Sequence, residues 1–247
     1  MEHLRVSTIT SILKISDTID LQKVYDCIPI STYILFIEYG SENEPKGFSE
    51  KSLKKKRKKK KKKIFYNQIT LHVMYSNKIM NVKLFNNGRI QITGLKHEEQ
   101  SINLVKALME YFYDFDIFKE EVQVIDHSIV LINSDFDLGY EINRDALHQE
   151  IIDYGIYSSY ESCIYPGVNI KYFINHTNIE NGICNCEQMC NGKGRGNGDG
   201  NCKKITIAVF KSGKVIITGG QNKQQLEESY RFIKNFIDSN KECFILK

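Results

Sequence analysis

The chain contains one pattern of apolar and polar positions in two copies. Asn81–Gly94 reads NVKLFNNGRIQITG, and Thr206–Gly219 reads TIAVFKSGKVIITG, 125 positions later. In each copy, apolar and β-branched residues flank a short turn that ends in a glycine, Gly88 in the first and Gly213 in the second. A glycine supplies the positive φ that such turns need, so each copy predicts a β-hairpin.

A helical pattern follows each hairpin. Its apolar residues recur at spacings of three and four: Val105, Leu108, Met109 and Phe112 after the first hairpin, and Leu226, Tyr230, Ile233 and Ile237 after the second. This spacing puts them on one side of a helix, which predicts two long helices packed on the sheet.

A strand and a short helix precede each hairpin. The predicted pairs are Val6–Ile12 with Ile19–Ile28, and Ser128–Ile132 with Asn143–Tyr154. Asp17 or Thr18 is the predicted N-cap of the first short helix, and Asn143 that of the second. The repeated order predicts an α+β fold, with helices on one face of an antiparallel sheet and the other face open to bind a ligand.

The repeat also predicts the domain organisation. Residues 1–115 form the first predicted repeat and residues 116–247 the second. Two insertions interrupt them. Residues 40–63 are polar and then polybasic, which predicts disorder, and residues 175–203 are rich in cysteine and glycine.

The positive charge is concentrated in one segment. The chain carries 34 basic and 30 acidic residues, and Lys54–Lys63 is an unbroken basic run. Removing these ten residues leaves 24 basic residues against 30 acidic ones, a net charge of −6. Global charge therefore gives no argument for nucleic-acid binding by the folded part. The run itself (Lys54, Lys55, Lys56, Arg57 and Lys58 at its start) is a solvated loop, a tether to DNA phosphates or a nuclear-import signal.

The cysteines indicate a reducing environment. There are seven, and Cys27, Cys163 and Cys243 lie far from any partner in sequence, which predicts free thiols in an intracellular protein. The other four follow the pattern C-x-C-x3-C-x11-C: Cys184, Cys186, Cys190 and Cys202. They could supply four thiolates to one zinc ion, with His176 as an alternative ligand, or form a free-thiol loop.

Several classes of protein are disfavoured. No apolar run approaches the ~20 residues of a membrane span, and the chain opens without a secretion signal. No nucleophile–base pair or paired acid motif indicates an enzyme. The stretch Gly194–Gly200 does not join a strand to a helix, so it is not predicted to bind phosphate.

The ordered repeat resembles the TATA-box-binding protein family, in the divergent form of large DNA viruses. The stretches that carry the resemblance are VSTIT at Val6–Thr10, IDLQKV at Ile19–Val24, LFNNGRIQITG at Leu84–Gly94, SSYESCIYPG at Ser158–Gly167 and VFKSGKVIITG at Val209–Gly219. The resemblance covers nearly the whole chain except the two insertions. It implies a saddle-shaped antiparallel sheet of ten strands with four helices on its convex face.

The resemblance also implies a DNA-binding face with apolar wedges. The wedge positions fall on Phe85, Phe210 and Tyr165, which is followed by Pro166; the fourth falls on Gln68, with Tyr66 two residues away. Groove contacts are implied for Thr93, Thr218, Val6 and Ile216. Gln91 and Lys83 replace apolar residues of the family on this face. A central asparagine falls on Leu4 in the first repeat, and Asn133 is its candidate in the second. Of a pair of glutamates that recruit an initiation factor, Glu161 is present and Cys163 replaces the other.

The functional expectation is a non-enzymatic transcription initiation factor that bends AT-rich promoter DNA from the minor groove. The expected partners are double-stranded DNA, general initiation factors and RNA polymerase, with no membrane; zinc is the one candidate cofactor. A single chain would act as a monomeric pseudo-dimer in a cytoplasmic virus factory or in the nucleus. The alternative is a scaffold that has lost DNA bending and serves as a protein-interaction module or associates with DNA without sequence specificity.

Overall fold

The computed structural model describes residues 4–50, 65–175, 181–198 and 200–246. The strands within them are β1 Arg5–Ile15, β2 Ile34–Tyr39, β3 Lys46–Gly47, β4 Gln68–Tyr75, β5 Lys78–Phe85, β6 Arg89–Leu95, β7 Val124–Asp137, β8 Ser158–Glu161, β9 Tyr165–Ile174, β10 Lys203–Phe210 and β11 Lys214–Gly220. The helices are α1 Leu21–Cys27, α2 Glu99–Tyr113, α3 Arg144–Asp153, α4 Lys223–Ser239 and α5 Lys241–Phe244. The α+β class predicted from the sequence is confirmed.

The chain divides into two compact units. The first unit is Thr8–Val130, and the second unit is Leu131–Lys247 together with Met1–Ser7. This division falls inside β7, which is one continuous strand. The division into repeats of residues 1–115 and 116–247 stays a prediction.

In the first unit the strands follow the order β3-β2-β4-β5-β6-β1, and each strand is antiparallel to its neighbours in this order. Burial alternates along β5 and β6. Val82, Leu84, Ile90 and Ile92 are fully buried, whereas their neighbours are partly exposed. The predicted stripe on α2 is also buried, at Val105, Leu108, Met109 and Phe112. One face of this sheet therefore carries the core, and the other face is open.

The second unit repeats this arrangement, with the strand order β7-β11-β10-β9-β8. Val209, Val215 and Ile217 are fully buried on the core face. On α4, Leu226, Ile233 and Ile237 of the predicted stripe are buried, and Tyr230 is partly exposed. Asn143 caps α3 as predicted, since its side-chain oxygen accepts a hydrogen bond from the backbone N–H of Ala146 at 3.2 Å.

The two predicted hairpins are confirmed, and their glycines are required for two reasons. Gly88 has φ +78° and Gly213 has φ +81°, a region that L side chains rarely adopt. A Cβ atom at Gly88 would lie 2.1 Å from the carbonyl oxygen of Asp17, and one at Gly213 would lie 2.2 Å from that of Tyr140. The turn of each hairpin thus packs directly against the chain leading to the short helix of its own unit.

This packing explains one wrong prediction. Neither Asp17 nor Thr18 caps α1; the cap is Asp20, whose carboxylate accepts from the backbone N–H of Lys23 at 3.0 Å. The backbone N–H of Ile19 donates to the carbonyl of Asn86, so the preceding residues are held against the hairpin and the helix begins later.

The first insertion is ordered where the structure describes it. Lys46–Gly47 forms a short strand on β2, although disorder was predicted for residues 40–63. The polybasic run Lys54–Lys63, with the predicted DNA contacts from Lys54 to Lys58, lies outside the described residues. Within the described residues, no helix has the length and apolar character of a membrane span.

The second insertion packs on its own unit. The backbone N–H of Phe173 donates to the carbonyl of Gly182, and that of Lys204 donates to Gly192, both at 2.9 Å. His176, the alternative metal ligand, lies outside the described residues.

Candidate nucleic-acid interface

The open face of the second unit includes alternate residues of the three neighbouring strands β7, β11 and β10. Thr218 of β11 pairs with Asn133 on one side and with Thr206 on the other. Ile216 pairs with Asp135 and Ala208 in the same way. Because paired residues of antiparallel strands project to the same side, this face combines hydroxyl, amide and small apolar groups.

Asn133 has an unusual environment on this face. Its side-chain oxygen is buried and makes no hydrogen bond among the described residues. A buried polar atom of this kind is uncommon in a folded protein. The register beside Thr218 puts Asn133 on the open face, where a bound ligand could supply the missing partner.

Two aromatic rings meet at the end of this face. The ring centroids of Tyr165 and Phe210 are 5.7 Å apart, with 63° between the planes. Gly167 pairs directly with Phe210 and makes room for both rings, since a Cβ atom there would lie 3.0 Å from the Tyr165 ring and 3.1 Å from the Phe210 ring. Tyr165 is 40% exposed. The next residue, Pro166, is also exposed, and its carbonyl oxygen accepts a hydrogen bond from Arg144.

In the first unit, strand pairing changes which residue corresponds to Tyr165. Phe85 pairs with Gln68, just as Phe210 pairs with Gly167. Gln68 is therefore the counterpart of Gly167. Tyr66, two residues earlier, is the counterpart of Tyr165, so the assignment of the fourth wedge position to Gln68 is wrong in register.

The turn between β4 and β5 accounts for this error. It consists of two residues, Ser76 and Asn77, both with positive φ. In the second unit, the same two strands are separated by the cysteine-rich insertion. Counting residues from the repeated hairpin across connections of different length cannot give the register, which depends on the turn.

Polar side chains occupy the open face of the first unit. Thr93 pairs with Thr10, and their hydroxyl oxygens are 3.2 Å apart. Lys83 pairs with Gln91 and donates to the side-chain oxygen of Gln68 at 3.4 Å. The predicted contacts Thr93, Gln91 and Lys83 thus share one face, and all three are partly exposed.

A carboxylate whose negative charge is balanced by neighbouring cations lies on the open face of the second unit. Asp135 accepts hydrogen bonds from Ser7 and from Arg5, the latter at 2.8 Å, and Lys214 lies 3.7 Å away. Burial by itself would raise the pKa of Asp135, but these partners lower it below its ordinary value. Sequence reasoning missed this residue because its cationic partners come from β11 and from the distant start of the chain. Val6, a predicted groove contact, lies between Arg5 and Ser7 and is partly exposed.

The predicted partner-binding residues lie on an exposed hairpin between β8 and β9. Glu161 pairs with Tyr165, and both Glu161 and Cys163 are exposed. Directly before Tyr165, Ile164 is 85% exposed. This hairpin therefore presents an acidic and an apolar group next to the aromatic pair.

The four cysteines predicted as metal ligands come together in the second unit. The sulfur atoms of Cys184, Cys186, Cys190 and Cys202 all lie within 4.8 Å of one another, close enough to hold a metal ion. Burial raises the pKa of Cys202. Burial also tends to raise the pKa of Cys184, but hydrogen bonds donated to its sulfur bring that pKa down to about 7.

Comparisons with known proteins agree with this architecture. The family model "Transcription factor TFIID (or TATA-binding protein, TBP)" matches residues 126–239. A TATA-box-binding protein-like protein of Acanthamoeba polyphaga mimivirus is 28% identical over 260 aligned positions, which cover 94% of this chain. The chain spans 64% of the length of that relative.

The fold comparison extends over both units. The solved structure of Methanococcus jannaschii TBP matches with a TM-score of 0.56 at 20% identity, covering 97% of this chain and 99% of that one. The fold of this chain is therefore that of the TATA-binding proteins. Together, these comparisons show similarity to the TATA-binding-protein family over the second repeat and a TATA-binding-protein fold over nearly the whole chain.

Proposed function

We propose that this protein is a transcription initiation factor that binds AT-rich promoter DNA through the open faces of its two units and bends it from the minor groove. The observation that carries the proposal is the repeated aromatic pair. Tyr165 and Phe210 at the end of one open face have register counterparts in Tyr66 and Phe85. Rings at such positions act as wedges between base steps, which they unstack and kink.

The composition of the open faces suits the minor groove of AT-rich DNA. A·T pairs present only acceptor atoms there, and the hydroxyl groups of Thr93 and Thr218 can donate to them. Ile216 and Ala208 add apolar contact without a polar group that would need its own partner. Readout of this kind is degenerate, so sequence preference would come mainly from how easily the DNA deforms, with TA steps the easiest to kink.

The mildly acidic folded part needs a separate source of attraction to phosphate. The basic run Lys54–Lys63 would supply it as a tether, adding affinity that falls steeply with salt and carries no sequence information. Deletion of this run should weaken binding and reduce its salt dependence while preserving the preference for AT-rich DNA. Complete loss of binding on deletion would instead support association without sequence specificity.

Base substitution tests the groove assignment directly. Inosine·cytosine pairs present the minor-groove pattern of A·T pairs but the major-groove pattern of G·C pairs. A duplex with its A·T pairs replaced by inosine·cytosine should bind within a few-fold of the original, and a G·C duplex should bind far more weakly. Equal loss on both substituted duplexes would place the contacts in the major groove and overturn the proposal.

One observation favours the alternative of a protein-interaction scaffold. Asp135 places a negatively charged carboxylate on the open face. Arg5 and Lys214 balance this charge. If DNA does not bind, the exposed hairpin with Glu161 and Ile164 is the most prominent surface for a protein partner. For the DNA-bending function, the same hairpin is the proposed contact for initiation factors that recruit RNA polymerase, in a virus factory or in the nucleus.

A further inference from the structure

The four clustered cysteines have the geometry of a tetrahedral metal site. The sulfur of Cys186 lies 3.5 Å from that of Cys202 and 3.4 Å from that of Cys190, and the Cys184 and Cys202 sulfurs are 3.8 Å apart. Zinc–sulfur bonds of about 2.3 Å in a regular tetrahedron place the sulfurs about 3.8 Å from one another. A single ion at the centre would thus need only small movements of the four side chains.

The glycine-rich spacer forms a defined turn around the cysteines. The backbone N–H of Gly194 donates to the carbonyl of Cys202 at 3.0 Å, and that of Gly196 donates to Asn201 at 2.8 Å. Gly196, Gly198 and Gly200 all have positive φ, so glycine is needed for this path. This turn brings the widely spaced Cys190 and Cys202 of the pattern C-x-C-x3-C-x11-C close together.

Backbone N–H groups also point at the sulfurs. Cys190 donates to the sulfur of Cys184 at 3.4 Å, and Gly200 donates to that of Cys186 at 3.2 Å. Such bonds stabilise the thiolate form, which is the form that binds metal. They are independent of the sulfur–sulfur distances and point to the same ligand.

A metal here would fix the insertion to the rest of the second unit. Gly192 lies against Phe173 of β9 and Lys204 of β10, where a Cβ atom would be 3.2 Å from the ring and 2.3 Å from the lysine Cβ. The carbonyl of Arg195 accepts from the side chain of Gln225 on α4 at 3.1 Å. The loop therefore covers the end of β9 and β10 that lies farthest from Phe210, and Phe173 beneath it is only 7% exposed.

We propose that Cys184, Cys186, Cys190 and Cys202 bind one zinc ion, which holds the cysteine-rich insertion on β9, β10 and α4. Zinc is the metal that four thiolates in a closed tetrahedral site select most often when no redox chemistry is required. The site is structural, since the four cysteines fill the coordination sphere and leave no position for a substrate. It does not depend on DNA binding.

Metal content and cobalt spectroscopy test the proposal on the full-length protein. Protein purified with zinc present should carry about one zinc per chain by native mass spectrometry. Replacement by Co²⁺ should give the intense charge-transfer and visible absorption of tetrahedral tetrathiolate cobalt. Cys186→Ser should lose the zinc and this spectrum, whereas the matched control Cys163→Ser, which alters an exposed cysteine outside the cluster, should keep both.

Thiol protection keeps the test valid if Cys186→Ser fails to fold. In the wild type, alkylation without denaturant should modify Cys27, Cys163 and Cys243 readily, and the four clustered thiols only after a zinc chelator is added. Protein without bound metal whose clustered thiols are alkylated equally fast with and without chelator would overturn the proposal. So would a cobalt spectrum that Cys186→Ser leaves unchanged.

Discussion

The ends of the two open faces, at Phe85 in the first unit and Phe210 in the second, have the same strand pairing. They differ in the surroundings of their aromatic residues. In the second unit, Tyr165 and Phe210 already contact each other above Gly167. In the first unit, Gln68 takes the place of that glycine, and its side chain contacts Lys83.

The tyrosine of the first unit makes a hydrogen bond to another residue of that unit. The hydroxyl of Tyr66 hydrogen-bonds that of Ser41 at 2.7 Å, and the ring is 64% exposed. Inserting it into DNA would require breaking this bond and ordering the side chain. We therefore expect the second unit to dominate bending and the first unit to contribute less. The two units have the same backbone pairing here and differ in Gly167 of the second unit and the Tyr66–Ser41 hydrogen bond of the first.

Removal of the phenylalanine from the assembled pair should have the largest effect. Phe210→Ala should weaken binding to an AT-rich duplex by roughly tenfold or more, since base–aromatic stacking is worth about 1–3 kcal/mol per ring. Phe85→Ala should cost less. Fluorescence anisotropy measures both, with Tyr157→Ala, an exposed tyrosine outside the pair, as the control. Equal losses of binding in Phe210→Ala and Phe85→Ala would contradict the expectation that the second unit dominates bending.

Giving Gly167 and Gln68 each other's side chain should make the contributions of the two units to DNA binding more alike. Gly167→Gln should separate Tyr165 from Phe210 and weaken binding by roughly 2- to 10-fold, since an aromatic pair is worth about 0.5–1.5 kcal/mol. Gln68→Gly should leave binding unchanged or strengthen it. Thermal unfolding of both variants separates this effect from loss of stability. If Gln68→Gly weakened binding as much as Gly167→Gln, the glycine would not explain the difference between the units.

Release of Tyr66 should have a smaller effect of opposite sign. Ser41→Ala removes the hydrogen bond between Ser41 and Tyr66, and a typical net hydrogen bond is worth about 1 kcal/mol. Binding should improve by roughly a few-fold. The double variant Ser41→Ala/Tyr66→Ala is the control, and it should lose the gain. A gain that persists without the tyrosine ring would show that Ser41 acts in another way.

The stabilisation that the Asp135 carboxylate contributes should be lost in acid. The folded pKa of Asp135 is lowered, so its stabilisation is complete above the unfolded value of about 3.9 and is lost as the pH falls through the folded pKa. Thermal unfolding of Asp135→Asn should therefore lose less stability than the wild type between about pH 4 and pH 2. Asp126→Asn, an exposed carboxylate at the other end of β7, should behave as the wild type does. Identical acid profiles for Asp135→Asn and the wild type would mean that Asp135 has no net role.

Much of the fold could be predicted because each repeat carries strong local signals. The hairpins around Gly88 and Gly213, the buried stripes of α2 and α4, and the Asn143 cap all depend on residues close together in sequence. These signals identify elements and their order. Their agreement across two copies is what made the α+β class predictable.

The parts that could not be predicted depend on contacts between distant residues. The counterpart of Tyr165 is set by strand register, which a two-residue turn at Ser76 shifts relative to any simple count. The environment of Asp135 depends on Arg5, 130 positions away. The cysteine spacing left a zinc site and a free-thiol loop as alternatives, because the turn that brings the four sulfurs together is formed by backbone hydrogen bonds, which leave no pattern in the sequence.

DNA bending by the repeated wedge is the central claim, and fluorescence energy transfer across a short AT-rich duplex tests it most directly. The wild type should shorten the distance between dyes at the two ends of the duplex, and Phe85→Ala/Phe210→Ala should abolish that change even at protein concentrations that saturate the DNA. Binding without any change in transfer, equal in wild type and double variant, would contradict the account.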